Sequence, residues 1–177
     1  MHNNSKISKQ ITNNNGEEKM TFEIPKTYVD YLIKRIKMPI EEIVTQEIKG
    51  CGYSLTYQYK VKEKGKVNTF IVNHLFLKDS NKIKLEVVNM DYYFPRKIAA
   101  LYIDNLQKIL KNNPANPKLD FGPTKNGKSS FKLRIDIEVG EPFLASDLYI
   151  DTEWLVNVLY RIICDIRNAK ALTTHSA

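Results

Sequence analysis

Residues 53–77 read YSLTYQYKVKEKGKVNTFIVNHLFL, and this stretch decides the fold. From Tyr53 to Val61 the side chains of Tyr53, Leu55, Tyr57, Tyr59 and Val61 alternate with Ser54, Thr56, Gln58 and Lys60. That period of two belongs to a strand with one face in a core and one face in water. KEKGK follows as a turn, and Val67 to Leu77 returns as the partner strand. Here both parities are apolar, with Thr69, Ile71, Leu75 and Leu77 on one side and Phe70, Val72 and Phe76 on the other. A strand apolar on both faces must be covered on both.

Working outward, a third strand follows the turn DSN, with Ile83, Leu85 and Val87 against Lys84 and Glu86. Before the hairpin, Tyr28, Val29, Leu32, Ile33 and Ile36 recur at steps of three and four, which predicts a helix over Lys26–Lys37. Pro25 pre-sets its first turn and Pro39 stops it. The segment 40–50 reads as a second short helix or an edge strand. After the third strand, Pro95 opens a central helix whose stripe is Ile98, Leu101, Leu106, Ile109 and Leu110. Two strands follow, Lys118–Phe121 and Phe131–Val139, joined by TKNGK with its Asn-Gly turn. A last helix opens near Asp151 or Thr152, either of which can cap it, and ends near Asn168. The order α-β-β-β-α-β-β-α describes an α+β domain, with three helices on an antiparallel sheet of about five strands. Residues 1–20 read as a disordered tail, 21–169 as the domain and 170–177 as a loose end. Met20, directly before TFEIP, is an alternative start.

The 177 residues are 42% apolar and 27% charged, the composition of an ordinary globular domain. No run approaches the length of a membrane span, and MHNNSKISKQ lacks the apolar core of a secretory signal, so a cytoplasmic protein with no membrane partner is expected. Lys and Arg number 27 against 20 acids, a net charge of +7. Such an excess raises nucleic acid as a partner. It is uneven: residues 26–134 carry 21 basic side chains and 10 acids, whereas residues 135–177 carry 3 and 7. Lys60, Lys62, Lys64 and Lys66 cluster at one hairpin turn and are the alternative nucleic-acid contact. Only five of the 27 basic residues are Arg, the residue suited to bidentate phosphate recognition, so solvated charge is the first reading.

Little points to catalysis. The two cysteines, Cys51 and Cys164, are far apart, and of the three histidines two lie near the termini, which leaves His74. No CxxC or His-rich metal pattern exists. Glu41 with Glu42, and Asp147, Asp151 and Glu153, are the acidic groups that acid–base work or a hard cation would need, but Asp151 and Glu153 also fit the first turn of a helix. GPTKNGKSS lacks the spacing and the following helix of a phosphate loop. No catalytic residue, metal or cofactor is expected. Tyr92, Tyr93 and Phe94 suit stacking on a base or holding a peptide side chain, or closing over the core.

The two-sided strand carries most weight. With helices on one face of the sheet, the other face presents Phe70, Val72, His74 and Phe76, or their opposites, to a partner. The element order, the MPI step at 38–40, the pair of strands in LDFGPTKNGKSSFKLRIDIEV and the closing helix with Trp154 and Leu155 resemble YbjN-domain proteins, whose fold is that of class I type III secretion chaperones. The resemblance spans Thr21 to Ala169. It implies a non-enzymatic homodimer that binds client polypeptide by side-chain pockets and sheet edges. Phe70, Val72, His74, Phe76, Tyr92 and Tyr93 are then the expected partner-binding residues.

Overall fold

The structure, a computed structural model, describes the backbone of residues 18–175 and the side chains of residues 23–169. The expected tail lies outside the described residues up to residue 17. The elements run α1 (Glu18–Lys34), a 3-10 turn (Ile40–Glu42), β1 (Val44–Ile48), β2 (Gly52–Glu63), β3 (Lys66–Leu77) and β4 (Lys82–Asn89). Then come β5 (Phe94–Pro95), α2 (Arg96–Leu110), β6 (Lys118–Lys125), β7 (Lys128–Glu138) and α3 (Ala145–His175). Among the described residues, the α+β class, three helices and an antiparallel sheet are as expected. The sheet has seven strands rather than about five, because segment 40–50 supplies β1 and the residues before α2 supply the short β5.

The sheet order is β1-β2-β3-β4-β7, every pair antiparallel. β6 pairs with one edge of β7, while β4 and β5 share the other. Two tight turns set the register. Lys64 and Gly65 both have positive φ (48° and 75°) and link the directly paired Glu63 and Lys66. Asn126 and Gly127 (52° and 71°) do the same between Lys125 and Lys128. Two successive left-handed residues give the hairpin turn whose twist matches that of the strands. Gly52 answers a different demand: its φ is 149°, and a Cβ there would overlap the carbonyl of Phe76 on the neighbouring strand.

The strict alternation of β2 and β7 gives the sheet one apolar face. Leu55, His74, Leu85 and Ile135 form one row across β2, β3, β4 and β7, and Tyr57, Val72, Val87 and Leu133 form the next. All eight are 5% exposed or less. Each large apolar side chain so buried is worth about 1.5–3 kcal/mol.

The helices complete this core. α1 packs against α3 and over β2, and α3 lies over β4 and β7. At 31 residues α3 is ~46 Å long. It begins six residues before the expected start, because Ala145 and Leu148 already extend the buried stripe of Thr152, Leu155, Val156 and Leu159. Its backbone continues to His175, past the expected end near Asn168. α1 also starts before the expected Lys26 and passes through Pro25, which forfeits one helical hydrogen bond. It stops at Lys34, short of Lys37, whose left-handed φ of 62° lets Met38 N–H reach back to the Leu32 carbonyl at 2.9 Å.

α2 stands at the opposite end of the sheet, beside β5, β6 and β7. Its Gln107 behaves like a strand peptide: Oε1 accepts from Leu119 N–H at 2.8 Å, and Nε2 donates to the Pro117 carbonyl at 3.1 Å. The side chain thereby caps the outer edge of β6. The single stripe expected of this helix divides. Ala99, Tyr102, Ile103 and Leu106 turn inward, whereas Ile98, Leu101 and Ile109 are 37%, 61% and 66% exposed.

Candidate functional site

The partner-binding set read from the sequence is corrected first. Phe70, Val72 and His74 are fully buried and Phe76 is 4% exposed, so these four side chains face the helices and offer nothing to a partner. Their opposites face outward. The signal was present in the chain: β2 is apolar on one side only, and a two-residue turn at Lys64–Gly65 places Tyr57 opposite Val72 and Leu55 opposite His74. The buried side of β2 therefore selects the buried side of β3.

His74 sits in a polar pocket of the core with no charged neighbour. Tyr28, Tyr57 and Phe76 surround its ring, with centroids 4.9, 5.6 and 6.2 Å away. Its Nε2 lies 3.1 Å from Thr152 Oγ1, and that hydroxyl donates to the Leu148 carbonyl at 2.8 Å. With the hydroxyl proton committed, Nε2 is the donor and Nδ1 carries the lone pair. Nδ1 has no hydrogen-bond partner among the described residues. Burial pushes the imidazole down to about 3, so it is neutral. Tyr28 and Tyr57 share a hydrogen bond of 3.1 Å, and burial raises both phenols. A group so enclosed cannot meet a substrate, and its role is internal.

The remaining candidates are distributed over the surface. Lys60, Lys62, Lys64 and Lys66 are exposed at the β2–β3 hairpin tip. Tyr92 closes inward: its N–H donates to Asn89 Oδ1 at 2.9 Å, its hydroxyl accepts from Arg167 at 2.9 Å, and the Arg167 guanidinium lies 4.2 Å from its ring centre. Tyr93 lies under Lys125 at 5.9 Å. The aromatic loop thus ties β4 to α3 and to the β6–β7 turn. Glu41 and Glu42 are exposed in the 3-10 turn. Asp147 and Asp151 share one side of α3, and burial followed by the nearby Asp147 raises the Asp151 carboxyl. Among the described residues no group of three or more His, Cys, Asp or Glu is placed to hold a metal ion.

The outward face of the sheet is divided into two halves. Over β4, β7 and β6 it is charged, and opposite signs face each other: Lys82 with Glu138, Lys84 with Asp136, Glu86 with Arg134, and Asp120 with Lys132. Over β1, β2 and β3 the rows from Ile71 to Leu77 carry no charge. Ile71 stands beside Gln58, Asn73 beside Thr56 and Val44, and Leu75 beside Ser54 and Gln46. Ile48 and Leu77 end the patch at Gly52. Val44 is 63% exposed, and among the described residues β1 has no partner strand on its outer edge. Sequence reading offered the β3 part of this patch only as the alternative set of opposites, and did not join it to the adjoining residues of β1 and β2.

No family model, no curated protein and no solved structure matches the chain. Among the described residues no helix is long and apolar enough to cross a membrane.

Proposed function

We propose that this is a non-enzymatic, cytoplasmic protein-binding module that acts as a homodimer, with the YbjN-like resemblance as the source of its chaperone-like or regulatory character. The supporting observation is the uncharged outward patch over β1, β2 and β3 beside the open edge of β1. A patch with no charge of its own meets a second copy of itself without like-charge repulsion, as a two-fold interface requires. Strand spacing and rise give the patch roughly 14 by 20 Å, or about 300 Å². A stable dimer needs about 800 Å² from each partner, so edge-to-edge pairing of β1 must add to face contact. The same edge is suited to an extended client strand.

Sedimentation equilibrium of the wild type and of Leu75→Asp tests this. Leu75 faces outward and is half-buried, so the charge disturbs the patch and leaves the inner core intact. The expected result is a wild-type dimer at tens of micromolar and a folded monomer for the variant. A wild-type monomer at that concentration overturns the proposal.

A further inference from the structure

Apart from the Lys125–Lys128 pair that closes the β6–β7 turn, the sign alternation on the charged half of the sheet fails at one place. Lys118 on β6 lies directly opposite Arg134 on β7, both pointing outward. Like charges in directly paired positions destabilise a sheet. Neither forms an ion pair among the described residues. Glu86, the carboxylate beside Arg134, is held by Lys132 at 3.5 Å and by Asn73 Nδ2 at 3.5 Å. Asp120 Oδ1 accepts the N–H of Phe121 at 2.7 Å. Among the described residues no carboxylate lies within ion-pair distance of Arg134, Lys118 or Lys111.

These three cations line one groove. It has a volume of about 370 Å³ and is bounded by Gln107 of α2, Lys111 just past its end, Asn116 of the following loop, Lys118 and Asp120 of β6, and Lys132 and Arg134 of β7. Four of these side chains are cationic and one is anionic. The wall between α2 and β6 is fixed, because the Gln107 amide is fully committed to the β6 backbone.

We propose that this groove binds a compact ligand carrying two or more phosphate groups. A violated local rule that no ion pair among the described residues relieves marks a place where something outside can supply the opposite charge. A phosphate bridging Lys118 and Arg134 converts a repulsive pair into two charge-assisted hydrogen bonds, with Arg134 able to bind two oxygens at once. The volume lies at the small end of ligand pockets, ~300–1,000 Å³. An extended nucleic acid fits the surface less well. The other lysine cluster stands at the β2–β3 tip, and the uncharged Ile71, paired with the buried Val88, lies between them.

Isothermal titration of the full chain with tripolyphosphate, at about 100 mM salt to suppress diffuse attraction, tests the proposal. One saturable site is expected. Arg134→Gln and Lys118→Gln should each weaken it about tenfold, the value of one lost charge-assisted hydrogen bond. Lys111→Gln, on the exposed residue just past α2, should weaken it without touching the sheet. The double variant Lys62→Gln/Lys64→Gln should leave it unchanged. Tripolyphosphate should also raise the melting temperature of the wild type and fail to raise that of Lys118→Gln. Absence of saturable binding overturns the proposal, as does binding lost in the hairpin-tip variant rather than in the groove variants. Tighter binding of a single-stranded oligonucleotide that displaces tripolyphosphate also overturns it, in favour of a nucleic-acid surface.

Discussion

Acid should weaken this protein through His74 in a range where carboxylates contribute little. The folded imidazole is pushed from its ordinary 6.5 down to about 3, with desolvation as the cause. Tyr28, Tyr57, Phe76 and Thr152 face it, and none of them brings a negative charge to stabilise an imidazolium. Protons therefore bind the unfolded chain and not the folded one below pH 6.5. Stability is fully present above that value and falls with pH at up to about 1.4 kcal/mol per unit until about 3. Between pH 7 and 4.5 the loss is about 2 to 3 kcal/mol, a large share of the ~5–15 kcal/mol typical of a domain. Urea unfolding at several pH values measures it. His74→Phe supplies the control: its absolute stability falls because Thr152 loses a partner, but the His74 share of the pH slope disappears. Asp151, whose raised carboxyl acts with the opposite sign at lower pH, contributes equally to both proteins and cancels in the comparison. Equal pH slopes for wild type and variant would refute the reasoning. So would imidazole nitrogen resonances that titrate near 6.5 while the protein remains folded.

Phe70→Ala should cost about 3 to 5 kcal/mol in denaturant unfolding, because the ring is fully buried beneath Tyr160 and leaves a cavity. A cost near zero would return Phe70 to the surface. Gln107→Ala should cost about 1 to 3 kcal/mol by orphaning Leu119 N–H and the Pro117 carbonyl. Hydrogen exchange should show the Leu119 amide losing protection before its neighbours on β7.

The chain's periodicities reveal the class of fold and both hairpins, because alternation and the turn residues Lys64–Gly65 and Asn126–Gly127 act over a few positions. What they conceal has two physical sources. Where both parities are apolar, as in β3, the pattern carries no orientation, and only the register to β2 supplies it. Where a helix begins in an unpromising context, local propensity misplaces its start. Pro25 reads as a first turn yet lies inside α1, and the last helix reads as opening near Asp151 or Thr152 although α3 begins at Ala145. Packing of Ala145 and Leu148 on the core outweighs the local signal there. The groove was illegible for a further reason: Lys111, Lys118, Lys132 and Arg134 come from three elements, and the opposition of Lys118 to Arg134 exists only once β6 and β7 are in register.

The two proposed surfaces lie at opposite ends of one sheet, and this makes them separable by experiment. The uncharged patch centres on β2, beside the free edge of β1, while the phosphate groove is closed by α2 along β6. Strands β4 and β7 separate Leu75 on β3 from Lys118 on β6, and neither residue is the other's paired neighbour. Substitutions at separated sites without common partners have additive effects. Leu75→Asp should therefore leave tripolyphosphate binding intact, and Lys118→Gln should leave sedimentation intact. If Lys118→Gln dissociated a dimer, the groove would be part of the subunit interface, and the like-charge pair would be relieved by a carboxylate of the second copy instead of by phosphate.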